Sequence, residues 1–122
     1  MSETLLVYVP DLGQGVSFYQ ALGLVLEALL PEKEALLAPA EGPLLLLRPG
    51  PGGLERGPQR PRPEGQGFAR LRLEEGRLVF IVENLPHERL RLAKYGLPFR
   101  EAGGHLLLFD PGENPILVRE GP

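Results

Sequence analysis

A chain of 122 residues carries one domain's worth of core, because two independent cores would leave each half with too little buried surface. Its 16 glycines and 14 prolines make up about a quarter of the residues, yet 43% are hydrophobic and gathered into short runs, which excludes disorder except locally. The absence of cysteine and the net charge of −3 exclude a disulfide framework, a thiolate nucleophile, a thiolate-held metal and a general attraction to nucleic acid or anionic membranes.

The first apolar run, Thr4 to Val9, is too short for a helix and is closed by Pro10, so it predicts a strand. Asp11-Leu12-Gly13 predicts a turn, with Asp11 capping a helix on which Val16, Phe18, Tyr19 and Leu22 fall at helical spacings. Gly23 is placed to end that helix in a left-handed cap. Three strands follow, over Leu24 to Leu29, Glu34 to Pro39 and Leu44 to Arg48, each bounded by proline or glycine. Residues 49 to 67, with Pro49-Gly50-Pro51-Gly52-Gly53 and Arg60-Pro61-Arg62-Pro63, read as a linker. A strand over Phe68 to Leu73, a turn at Glu74-Glu75-Gly76 and a strand over Leu78 to Val82 come next. Pro86 suits the first turn of a helix that runs to about Tyr95 and ends at Gly96. Strands over Leu97 to Glu101, His105 to Phe109 and Pro115 to Arg119 complete the chain. No apolar stretch approaches the roughly 18 residues of a membrane span and no charged-then-apolar leader opens the chain, so a soluble cytoplasmic protein is expected.

The two halves repeat. Laying Asp11 on Asn84, an offset of 73, carries Val9 onto Val82, Gly23 onto Gly96 and Leu24 onto Leu97 without a gap. One deletion later, Pro43-Leu44-Leu45-Leu46 lies on Pro115-Ile116-Leu117-Val118. Strand parity then assigns faces: Val7, Val9, Phe80 and Val82 point towards the covering helices. Thr4, Leu6 and Tyr8, with Arg77, Val79, Ile81 and Glu83, point the other way. Leu45, Leu47, Leu117 and Arg119 share that second face if the closing strands pair in the usual order. Two such modules paired edge to edge would enclose a cup lined by this second set.

Several segments resemble a known family. Val7-Tyr8-Val9-Pro10-Asp11-Leu12, Ser17-Phe18-Tyr19 and Leu22-Gly23-Leu24 resemble the opening of the vicinal oxygen chelate superfamily, which includes glyoxalases, bleomycin-resistance proteins and extradiol dioxygenases. Phe80-Ile81-Val82-Glu83-Asn84-Leu85 resembles the start of its second module, and Phe109-Asp110-Pro111-Gly112-Glu113-Asn114-Pro115 its closing turn. The resemblance implies an α+β fold of two βαβββ modules, residues 1–48 and 68–122, forming a curved mixed sheet around a cup-shaped cavity. It also implies a homodimer. Metal-using members hold a divalent ion with His, Glu or Gln at positions that match Thr4, Leu45 (or Leu46), Arg77 and Leu117. None is a good ligand: leucine has no lone pair, arginine repels a cation, and a lone hydroxyl is a weak donor. The metal-free, small-molecule-binding branch is therefore expected, with no cofactor, no catalytic residue, and neither nucleic acid nor membrane as partner.

Arg77 is the sharpest polar feature. It reads either as a bidentate anchor for a carboxylate or phosphate, or as the partner of Glu74 or Glu83 or a rim residue whose guanidinium reaches water. Arg119 has the same two readings, weighted to the rim. Tyr8 reads as a ligand-bonding wall residue or as an aromatic filler. His105, after Gly103-Gly104, and His87, in a helix's first turn, read as edge or surface residues, while Asp110 and Asn114 read as turn formers. A metal-dependent lyase or dioxygenase using His105 with Glu101 or Glu113 is the alternative. A fold kept for assembly, its cup filled by side chains, is a third reading.

Overall fold

The fold repeats one local pattern twice, in a computed structural model that describes residues 1–122. In the first module β1 (Thr4–Val9) leads to Asp11, whose extended backbone and carboxylate cap α1 (Leu12–Ala21) by accepting the Gln14 amide at 2.9 Å. Strands β2 (Val25–Leu30), β3 (Glu34–Ala38) and β4 (Leu44–Pro49) follow. In the second module Asn84 caps α2 (Leu85–Lys94) in the same way, through the His87 amide at 2.9 Å. Gly23 (φ +106°) and Gly96 (φ +71°) take the left-handed conformation after the two helices. The offset of 73 therefore carries β1 onto β7 (Arg77–Val82) and α1 onto α2, both ends included. The remaining strands are β8 (Arg100–Ala102), shorter and later than expected, β9 (His105–Phe109) and β10 (Pro115–Glu120).

One stretch departs from expectation: inside the 49–67 linker, β5 (Leu54–Arg56) pairs antiparallel with β1. The strand expected over Phe68 to Leu73 is β6 (Arg70–Glu74), paired antiparallel with β7 across the expected turn. The strands form two five-stranded mixed sheets, β2-β3-β4-β1-β5 and β6-β7-β10-β9-β8. Each first strand thus has an additional strand on the edge where edge-to-edge pairing of the modules was expected.

One face of each sheet, with both helices, merges into a shared core of 24 residues that includes Val7, Val9, Phe80 and Val82, as parity required. Tyr19 is fully buried at its centre, its ring stacked on Phe80 at 6.1 Å. Burial, the nearby Asp110 charge and a hydrogen bond to that carboxylate hold the Tyr19 phenol well above its ordinary 10.0. An unfolded tyrosine releases its proton near 10.0 while the folded one keeps it. The stability this contributes is therefore complete below that pH and is lost as pH rises towards the folded value. Urea midpoints measured from neutral to strongly alkaline pH should fall less steeply for Tyr19→Phe than for the parent.

Register corrects one sequence reading. β1 and β4 pair in parallel with Leu5 opposite Leu45 and Val7 opposite Leu47, so Leu45 and Leu47 lie in the helix-side core. The outer face carries Leu44, Leu46 and Arg48 instead, opposite Thr4, Leu6 and Tyr8. In the second module Val79 faces Leu117 and Ile81 faces Arg119, as expected. Matching the two registers makes Leu46, not Leu45, the counterpart of Leu117. The proline alignment misled because Pro43 precedes β4 whereas Pro115 is the first residue of β10, a position where the missing amide is tolerated.

The modules are joined along a seam of backbone bonds, Ala40 N to Ala69 O at 2.8 Å, Leu71 N to Glu41 O at 2.9 Å and Gly67 N to Ala38 O at 3.1 Å. No helix is long and apolar enough to cross a membrane.

Candidate functional site

The outer face of the first sheet is covered by its own chain. Thr4 donates its hydroxyl to Pro58 O at 2.5 Å, and Gly57 packs so closely that a Cβ there would collide with Thr4 Oγ1. Further along, Arg60 reaches Glu34 at 3.1 Å, where Arg48 also binds at 3.2 Å, and Arg62 donates to the carbonyls of Gly42 and Pro39. Glu34 shares the outer face with Leu36, Leu46 and Arg48, so residues 57–62 cross that face from the β1 edge to β3. Beneath them Leu44 and Leu46 are fully buried and Leu6 is 4% exposed. Tyr8 stands beside this covering with its hydroxyl donated to Glu55 at 2.9 Å. That bond, more than partial burial, raises its pKa.

The outer face of the second sheet is different. Val79, Ile81 and Leu117 form a separate small apolar cluster with Leu107 against it, and no first-module residue joins it. The two halves of the expected lining are therefore not brought together within one chain. Ladder register adds Arg70, Arg72 and Glu74 from β6, His105 from β9 and Arg100 from β8 to the face that holds Arg77 and Arg119. Among the residues of the strands themselves, Glu74 is the acid on this face, and it binds Arg119 at 3.0 Å rather than its ladder neighbour Arg77. Arg70 is held by the carbonyls of Gly121 and Pro122. Only two buried side-chain nitrogen or oxygen atoms lack a partner, Arg77 Nε and His105 Nδ1, and both lie on this face.

A cleft of about 500 Å³ opens between β6 and the start of β1, lined by charges of both signs including Glu3, Glu41, Arg56 and Arg72. Of the expected lining it touches Thr4 alone.

The positions to which the resemblance would assign metal ligands become Thr4, Leu46, Arg77 and Leu117 once the register is corrected, and these residues do not fit an ion. Nor do the alternative donors assemble: Glu101 is paired with Arg89, Glu113 sits exposed in the closing turn, and no three His, Asp or Glu side chains are grouped to hold a cation.

Two contacts went unread in the sequence. Asp110 and Asn114 do form the closing turn, but Asn114 also donates to Tyr8 O at 3.1 Å and accepts the Gly53 amide at 2.8 Å, tying that turn to the first module. Arg91 leaves α2 to bind Ala21 O at 2.7 Å, its guanidinium lying 4.4 Å from the Phe68 ring centroid. The motif Asp110-Pro111-Gly112-Glu113-Asn114 was the available signal for the first contact. Nothing local marked the second.

No protein-family model matches the sequence, and no curated protein matches it. Solved structures do match. A glyoxalase/dioxygenase from Nostoc punctiforme aligns with a TM-score of 0.68 at 18% identity, over 100% of this chain and 91% of that one. A lactoylglutathione lyase from Agrobacterium tumefaciens gives 0.66 at 18% identity over 97% and 91%. The fosfomycin resistance protein FosX from Listeria monocytogenes, in complex with Mn(II) and sulfate, gives 0.65 at 14% identity over 100% and 92%. Paired modules, helix caps and closing turn thus give this chain the fold shared by these glyoxalase, dioxygenase and fosfomycin-resistance structures.

Proposed function

We propose that the protein binds a small apolar or anionic molecule without a metal, on the outer face of its second sheet, with Arg77 as the anion anchor. The observation that carries this reading is the buried Arg77 Nε, which has no partner although Glu74 sits beside it on the ladder. A buried donor left unpaired costs about 1–3 kcal/mol, a cost that a carboxylate or phosphate accepted by the guanidinium would remove. Val79, Ile81 and Leu117 supply the apolar floor, and Arg119 stands at its edge. Thr4, Leu6 and Tyr8, beneath or beside the linker, take no part.

A second copy of the chain is proposed to close over this face, where Phe109, 65% exposed, adjoins it. The cytoplasmic setting belongs to the same proposal. Light scattering at micromolar concentration should give a dimer mass, and a monomer would remove this part of the reading.

Titration calorimetry against carboxylates and phosphates should show binding that Arg77→Gln weakens by about tenfold or more. Treatment with a chelator should leave both affinity and Tm unchanged. A stoichiometric divalent ion in the purified protein, or binding indifferent to Arg77→Gln, would overturn the proposal.

A further inference from the structure

The two unpartnered atoms share one face but not one place. Arg77 stands on β7 level with Pro115 of β10, and His105 stands on β9 level with Arg119. They are two strands apart and four residues out of step, about 10 Å across the sheet by about 13 Å along it. Leu117 of β10 lies midway on the diagonal between them, flanked by Val79 and Leu107. The Arg119 to Glu74 ion pair runs along the neighbouring diagonal and walls one side. It also holds the Glu74 carboxylate away from its ladder neighbour Arg77. Arg72 and Arg100, exposed and in no ion pair, sit at the two outer edges of the Leu117 row.

Buried donors are nearly always satisfied. Arg77 Nε is a donor, and His105 Nδ1 is one in the tautomer that carries its proton there, so acceptors at opposite ends of one apolar strip, with nothing polar between, would satisfy both. We infer that the ligand is an elongated dianion, an apolar chain or ring with an acid group at each end. One acid lies on the Arg77 guanidinium, and the other accepts from His105 Nδ1 and, beside it, from the cationic edge formed by Arg119. This inference rests on the ligand face proposed above and adds the second end. Arginine offers a planar two-donor edge to the first acid, while His105 offers one ring N–H to the second.

The test is calorimetry of the full chain with nonanedioate, nonanoate and pentanedioate. Nonanedioate is expected to bind about tenfold or more tighter than either control, since nonanoate lacks the second acid and pentanedioate is too short to span Leu117. His105→Leu should reduce nonanedioate to the affinity of nonanoate and leave nonanoate unchanged, whereas Arg77→Gln should weaken both. In the parent protein the His105 ring resonances should move with nonanedioate and not with nonanoate, with His87 as the unmoved control. This readout survives even if a variant fails to fold. Equal binding of nonanedioate and nonanoate, both lost in Arg77→Gln, would overturn the two-ended ligand while leaving the single-anchor reading intact. Binding of no anion at all would overturn both.

Discussion

Asp110→Ala is expected to remove about 3–5 kcal/mol of stability, a large part of the roughly 5–15 kcal/mol that holds a domain of this size. The Asp110 side chain is 4% exposed, and its two oxygens accept four hydrogen bonds. Oδ1 takes the amides of Gly112 and Asn114 at 2.8 and 2.9 Å, and Oδ2 takes the Tyr19 hydroxyl at 2.6 Å and Asn114 Nδ2 at 2.8 Å. Truncation strands all four donors, and the Tyr19 hydroxyl lies in the fully buried shared core, shut off from solvent. It also frees Asn114, which ties the closing turn to Tyr8 and Gly53 of the first module. Tyr19→Phe deletes one donor together with its need for a partner and should cost only about 1–2 kcal/mol. Urea unfolding followed by circular dichroism would rank the two. An Asp110→Ala loss no larger than that of Tyr19→Phe would mean that the turn holds itself without its carboxylate.

Local signals carried the repeat. Asp11 and Asn84 as caps, Gly23 and Gly96 as left-handed terminators, and the alternation of β1 and β7 are all short-range features. They fixed β1, α1, β7 and α2 without knowledge of what packs against them. Leu44 to Leu47 defeated the same logic. Four leucines in a row show no alternation because both sides of β4 are buried, one in the shared core and one under the linker, so parity had nothing to read. Pro43 and Pro115 then supplied a false anchor. The linker's role was equally hidden, because its composition signals a loop while its contacts, Arg60 to Glu34 and Thr4 to Pro58, are made across 26 and 54 residues of sequence. On the second sheet the common face of Arg77, Val79, Ile81, Leu117 and Arg119 followed from parity alone once β7 and β10 were taken to pair. The diagonal from Arg77 to His105 was hidden because it crosses three strands, which no spacing within one strand displays.

Gly42→Ala tests the seam between the modules, and its expected cost is on the order of 3–4 kcal/mol. Gly42 turns the chain from β3 into β4 at φ +107°, a conformation a side chain enters only with strain. Its open side is also occupied: a Cβ there would run into the carbonyl oxygen of Leu71, with the Leu71 carbonyl carbon and amide nitrogen close behind. Backbone cannot rotate away as a side chain does. Relief would require separating β6 from the Glu41 carbonyl that accepts the Leu71 amide, and with it the Ala40 to Ala69 bond. Gly76 provides the control. It turns β6 into β7 at φ +76° with nothing within 4 Å of an added Cβ, so Gly76→Ala carries conformational strain alone, about 1–2 kcal/mol. The difference between the two alanine variants in urea unfolding isolates the close approach of the modules. Equal losses would show that the seam yields freely, and that the two sheets are held together by the shared core and the Asn114 bridge rather than by backbone contact at Gly42.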